Sequence, residues 1–79
     1  MTNKEKYVEA FKESLDVKEE QLAGLEYQAI PAWDSVGHMG LISELEDAFG
    51  IMMETDDIID FSSFEKGMEI LKKYNVEIQ

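Results

Sequence analysis

Apolar residues recur at helical spacing three times in this chain, and alternation at strand spacing is weak throughout. Tyr7, Val8, Phe11 and Leu15 make the first stripe. Leu41, Leu45, Ala48 and Phe49 make the second, and Phe64, Met68, Leu71 and Tyr74 the third. The pattern predicts an all-α fold: a small four-helix bundle of three main helices and a short one. With 79 residues the chain is expected to be one domain, residues 1–79, around a single small core. It contains no cysteine, so neither a disulfide nor a thiolate metal site is available. A chain this small without staples depends on well-packed helices.

Boundary signals place the helices. Thr2-Asn3-Lys4-Glu5 reads as a capping box, predicting a first helix over about Asn3 to Leu15. Residues 16–34 form a long connection, with Leu22 and Leu25 flanking Gly24 and with Pro31 ending any local helix. A connection of that length in a small domain is usually functional or carries a short turn. The second helix is expected after Ser35, ending near Phe49 with Gly50 as its C-terminal cap. Asp56 to Asp60 fits a short third helix. Ser62-Ser63-Phe64-Glu65 suggests a capping box at Ser62, opening a fourth helix that ends in Lys72 and Lys73, well placed at a negative helix end. The N-terminal MTNKEKY has no apolar signal core, and no apolar run approaches the ~20 residues of a membrane span. The expected location is the cytoplasm.

Charge narrows the function. Eighteen acids and seven lysines give a net charge of −11. No lysine or arginine falls between Lys18 and Lys66, a span holding twelve acids, while the rest of the chain nets +1. Nucleic-acid binding is excluded as an expectation, because affinity for a phosphate backbone comes from cations. A basic protein partner is the natural complement.

The second helix repays closer reading. At about 100° per residue, His38, Leu41, Leu45, Ala48 and Phe49 share the core face, with Ile42 at its edge. Val36, Gly40, Ser43 and Asp47 lie opposite. Met39 and Glu46 flank them on the side of Ser35. An apolar spot ringed by carboxylates suits docking of a partner with a basic rim. Ser35 reads as the helix N-cap, its oxygen accepting an early backbone amide. The same position also favours an anion, such as a phosphate ester, at the free amides of a helix N-terminus. No base lies near Ser35 in sequence except His38, which points to the core, and no cysteine or second histidine exists to complete a triad. Chemistry at Ser35 therefore needs another enzyme to activate it. His38 itself reads as a structural histidine, and no metal site is expected.

These residues carry a resemblance. Asp34-Ser35-Val36, Leu41-Ile42, Leu45-Glu46 and Phe49-Gly50-Ile51 are similar to the acyl carrier protein signature, "DSL…L…LE…FGI". The likeness extends over almost the whole chain, including the long first connection and the short third helix. It implies that a phosphopantetheinyl transferase, using coenzyme A and magnesium, esterifies Ser35 with phosphopantetheine, with Asp34 part of the recognition motif. The arm's thiol would then carry an acyl or aminoacyl group as a thioester between enzymes with basic docking patches. Trp33-Asp34-Ser35 followed by His38 is similar to carriers of specialised or surface-sugar pathways and to aminoacyl and peptidyl carriers, and less like the fatty-acid biosynthesis form. The resemblance implies a non-enzymatic monomer whose partners meet Val36, Met39, Glu46, Asp47 and Met53. It also implies that Met39, Met53 and Ile58 line the edge between the second and third helices; Met side chains adapt to varied contacts. Met52 is expected to be exposed and to add to docking.

The chain departs from the family pattern where acids often stand two and five residues after the serine. Here those positions are Gly37 and Gly40, and acid resumes at Glu44, Glu46 and Asp47. Each glycine costs about 0.8–1 kcal/mol against alanine if its backbone is helical. Alanine at either position is thus expected to stabilise by roughly 0.5–1 kcal/mol. The alternative reading of the whole chain is an acidic adaptor or inhibitor that binds a basic surface without a prosthetic group. Either way, twelve acids without an intervening cation repel one another. The melting temperature is expected to rise with sodium chloride, as the Debye length falls to about 10 Å at about 0.1 M. It should rise more per unit ionic strength with calcium or magnesium, and calorimetry across a salt series measures both slopes.

Overall fold

The computed structural model describes residues 1–78. Four α-helices form: α1 (Asn3–Leu15), α2 (Ser35–Phe49), α3 (Thr55–Asp60) and α4 (Phe64–Lys72). The described residues contain no strand, only an isolated antiparallel bridge between Glu26 and Ser63. The chain is thus a small all-α bundle. No helix among these residues is long and apolar enough to cross a membrane.

Local chemistry sets the ends. Thr2 and Glu5 close the expected capping box: the Glu5 amide donates to Thr2 Oγ1 at 3.1 Å, and the Thr2 amide donates to Glu5 Oε1 at 2.8 Å. Asp16, with φ of 54°, turns the chain out of α1. Gly50 caps α2 with φ of 63°, a left-handed conformation that costs glycine least. Two caps differ from the sequence expectation by one residue. Asp34, not Ser35, is the N-cap of α2, its carboxylate accepting from the Gly37 amide at 2.8 Å. Ser35 becomes the first helical residue instead. In the same way Ser63, not Ser62, caps α4 by accepting from the Lys66 amide at 2.9 Å. Helix α3 starts one residue before the expected Asp56.

The long connection is ordered by what it packs against. A 3₁₀ turn occupies Glu19–Gln21, and Leu22 and Leu25 bury their side chains. Backbone bonds stitch the segment to the start of α4: Phe64 N–H donates to Leu25 O and Tyr27 N–H to Ser62 O, each at 2.9 Å. The segment then delivers Trp33, 0 % exposed, into an aromatic core. Phe11 meets Trp33 edge-on at 5.4 Å and Phe64 at 5.1 Å, and Tyr7 packs on both Phe11 and Phe64 at 5.1 Å. Edge-to-face pairs at this spacing add to simple area burial.

Tyr7 also carries a polar atom into that cluster, and its hydroxyl donates to Phe64 O at 2.7 Å. Burial pushes the phenol's pKa far up, so it stays a donor. Gly67 of α4 lies directly beneath: a Cβ there would overlap the Tyr7 hydroxyl and the Phe61 ring. Neither side chain has room to retreat, both being essentially unexposed. Gly67→Ala should destabilise by about 1–3 kcal/mol, the usual cost of overpacking, although alanine is the better helix former. Urea melts of the variant against wild type measure it.

Candidate functional site

Ser35 stands in the first turn of α2 with its side chain exposed. Because Asp34 supplies the cap, Ser35 Oγ makes no hydrogen bond among the described residues. Beside it opens a cavity of about 330 Å³ between α2 and α3. Ser35, His38 and Met39 line it from α2, Ile58 and Ile59 from α3, and Tyr27, Phe61 and Ser62 from the connections. The lining is mostly apolar.

His38 forms one side of this cavity and is held at both nitrogens. Trp33 Nε1 lies 2.9 Å from His38 Nδ1, and His38 Nε2 lies 2.7 Å from Ile58 O. Indole nitrogen can only donate and a carbonyl can only accept. The ring is therefore the neutral tautomer with its proton on Nε2, donating to Ile58 O and accepting from Trp33. Tyr27 and Phe61 meet it edge-on at 5.3 and 6.0 Å. With both nitrogens engaged, His38 is not available to take a proton from Ser35. As the helical register requires, His38 is half-buried while Val36 is 79 % exposed.

The expected docking residues separate into two groups. Val36, Met39 and Asp47 are exposed; Ile59 extends the exposed apolar surface beside the serine, and Met52 is exposed past the other end of α2. Glu46 is half-buried and engaged: its Oε2 accepts the Met53 amide at 2.9 Å, tying the chain after Gly50 back to α2. Met53 is 5 % exposed and belongs to the core. It neither reaches the docking face nor lines the cavity. The edge role that the resemblance implied is filled by Met39 and Ile58, with Ile59 in place of Met53.

Two features were not read from the sequence. Asp57, on α3, is buried, with its Oδ1 accepting from Lys73 Nζ at 2.6 Å and its Oδ2 from the Tyr74 hydroxyl at 2.5 Å. Those hydrogen bonds, from Lys73 first and Tyr74 second, hold its carboxyl below the ordinary range. Nothing in the acid-rich run of α3 marks Asp57 apart from its neighbours. The other is Gly37. A Cβ there would collide with Ala32 O and press on Leu15 Cδ2. The bare Cα lets the connection lie against α2 and sets the position of Trp33 and Asp34.

Comparison of the chain with family models, with curated proteins and with solved structures finds no match.

The two glycines of α2 therefore part company, correcting the equal expectation for them. Gly40 has nothing within 4 Å of a would-be Cβ, so Gly40→Ala should stabilise by about 0.4–1 kcal/mol. Gly37→Ala must displace backbone and should destabilise by about 1–3 kcal/mol. Urea melts of the two single variants read opposite signs.

Proposed function

We propose that the chain is a carrier: Ser35 receives a phosphopantetheine arm from a phosphopantetheinyl transferase, and the arm shuttles acyl or aminoacyl groups between biosynthetic enzymes. The observation that carries this reading is the free Ser35 hydroxyl at the rim of an apolar cavity. A hydroxyl spent on capping would be a poor tether point. This one is exposed, with Asp34 doing the capping.

The residues present fit such a group. A phosphodiester on Ser35 would lie at the amino end of a fifteen-residue helix, where dipole and amides favour an anion. When bound, the arm would supply a thiol for thioester chemistry. The chain's own residues have a different task. Asp34 fixes the helix start, and Gly37 admits the connection that brings Ser35 to the edge. The cavity walls offer an apolar recess next to the attachment point, sheltering a cargo from water by burial of its apolar surface. With His38 engaged at both nitrogens, the base that activates Ser35 must come from the transferase.

Val36, Met39, Met52 and Ile59 offer exposed apolar contacts in the half of the chain that lacks cations. That combination suits brief docking on partner enzymes with basic rims, where charge sets on-rate and orientation. The same face suits the alternative, an acidic adaptor without a prosthetic group, but an adaptor has no use for a free serine beside a cavity.

Incubation with a promiscuous phosphopantetheinyl transferase, coenzyme A and magnesium should add one phosphopantetheinyl mass to the intact protein. Peptide mapping should place it on Ser35, and Ser35→Ala should remove it completely. An unmodified wild type, or an adduct on Ser14, Ser43, Ser62 or Ser63, overturns the carrier reading in favour of the adaptor.

A further inference from the structure

We infer that His38 is a proton-sensitive latch: its neutral ring pins α3 against α2, and protonation releases α3 and opens the cavity beside Ser35. The use of the opening, exposure of a sheltered cargo, rests on the carrier reading. The latch itself does not.

The case starts with how little holds α3. Among its six residues only Asp57 is buried, and that side chain is a carboxylate. Ile58 is half-buried and Ile59 is 72 % exposed. Helix α3 itself is thus held by the partial packing of Ile58 and by polar contacts, while the buried Met53 and Phe61 anchor the chain just before and just after it, and the Glu54 amide at its N-cap donates to the Tyr74 hydroxyl at 2.9 Å. On one side Asp57 bonds Lys73 and Tyr74 beyond α4. On the other, Ile58 O accepts from His38 Nε2. The second contact is the one that faces the cavity, since His38, Ile58 and Ile59 all line it.

Nε2 donates to Ile58 O in either charge state, but the ring orientation that allows it is fixed by Nδ1 accepting from Trp33, and that bond exists only for the neutral ring. Protonation would place an N–H on Nδ1 facing the Trp33 indole N–H, two donors 2.9 Å apart with no acceptor between them. One partner must give way. Trp33 is 0 % exposed and wedged edge-on against Phe11, so the half-buried imidazole moves. Turning the ring off Trp33 also takes Nε2 away from Ile58 O, and the hold on α3 from this side is lost.

No neighbouring charge takes over. On α2 the Asp34 carboxylate is bound to the Gly37 amide, and Ser35 carries no charge. From the long connection the ring faces the Tyr27 phenol and the Trp33 indole, and after α3 the Phe61 ring and Ser62. On α3 Asp57 is turned to Lys73 and Tyr74, while Asp56, Asp60 and the preceding Glu54 are exposed. No lysine or arginine lies anywhere between Lys18 and Lys66.

The test uses the unmodified protein, so it is independent of any transferase. Two-dimensional NMR follows the His38 ring nitrogens, the Trp33 indole proton and the amide protection factors of Ile58, Ile59 and Asp60. The range is about pH 7.5 to about pH 5, across which an imidazole changes charge. Protection in α3 should fall roughly tenfold, the size expected for one lost buried hydrogen bond. It should fall with the same midpoint as the ring nitrogens, while Leu41 and Leu45 in α2 stay protected. His38→Gln, which keeps a donor for Ile58 O and does not titrate, should show α3 protection that is flat with pH. Constant α3 protection in wild type, a midpoint different from that of the ring, or the same loss in His38→Gln would each overturn the latch. A failed latch with an intact Ser35 adduct leaves the carrier reading standing, and the reverse result leaves the latch standing.

Discussion

Everything near the candidate site is arranged around the burial of one large indole. Trp33 sits at 0 % exposure with its ring against Phe11, and an indole buries a large apolar area while demanding one acceptor. His38 Nδ1 meets that demand from the first turn of α2. The remaining ring nitrogen reaches across to the α3 backbone. One aromatic residue thus fixes the long connection, the tautomer of the histidine and the position of α3. Gly37 is the steric condition for all three, because Ala32 O occupies the space where its side chain would be.

The bundle divides into a firm part and a lightly held one. The aromatic cluster of Tyr7, Phe11, Trp33, Phe61 and Phe64 is packed in tilted and edge-on pairs, with no room at Gly67 for a methyl group. Helix α3 contributes a buried carboxylate instead of a buried hydrocarbon. Buried charges hold their place only through specific partners, and Asp57 has two. Elements that move are drawn from the weakly packed end of a structure, and here that element forms one wall of the cavity.

Much of this was legible in the sequence, for a physical reason: helical periodicity is a one-dimensional projection of which face is buried. It placed α1 and α2 closely and ordered His38 and Val36 correctly against their polarity. The caps were less legible. Asp34 and Ser35 are both good N-cap residues, and Ser62 and Ser63 are identical, so only the three-dimensional path of the chain decides between neighbours. Gly37 reads from the sequence as a helix-propensity cost or as clearance for a partner or an arm, whereas the group that needs the space is the chain's own Ala32 O, which approaches from outside the helix. Met53 follows Gly50, where the helical register no longer applies, and so its burial could not be projected from α2. The Asp57–Lys73–Tyr74 cluster joins residues that no local pattern relates.

Trp33 has one more property. It is the only tryptophan in the chain, and its indole nitrogen donates to His38 Nδ1 at 2.9 Å with the two rings inclined by 21°. The protein's indole emission therefore originates from a single chromophore lying under the site and touching the residue that reaches α3. A change in the imidazole acts on the one fluorophore through the hydrogen bond they share. The molecule carries its own optical label, needing no dye and no substitution, at the place where its function is most in question.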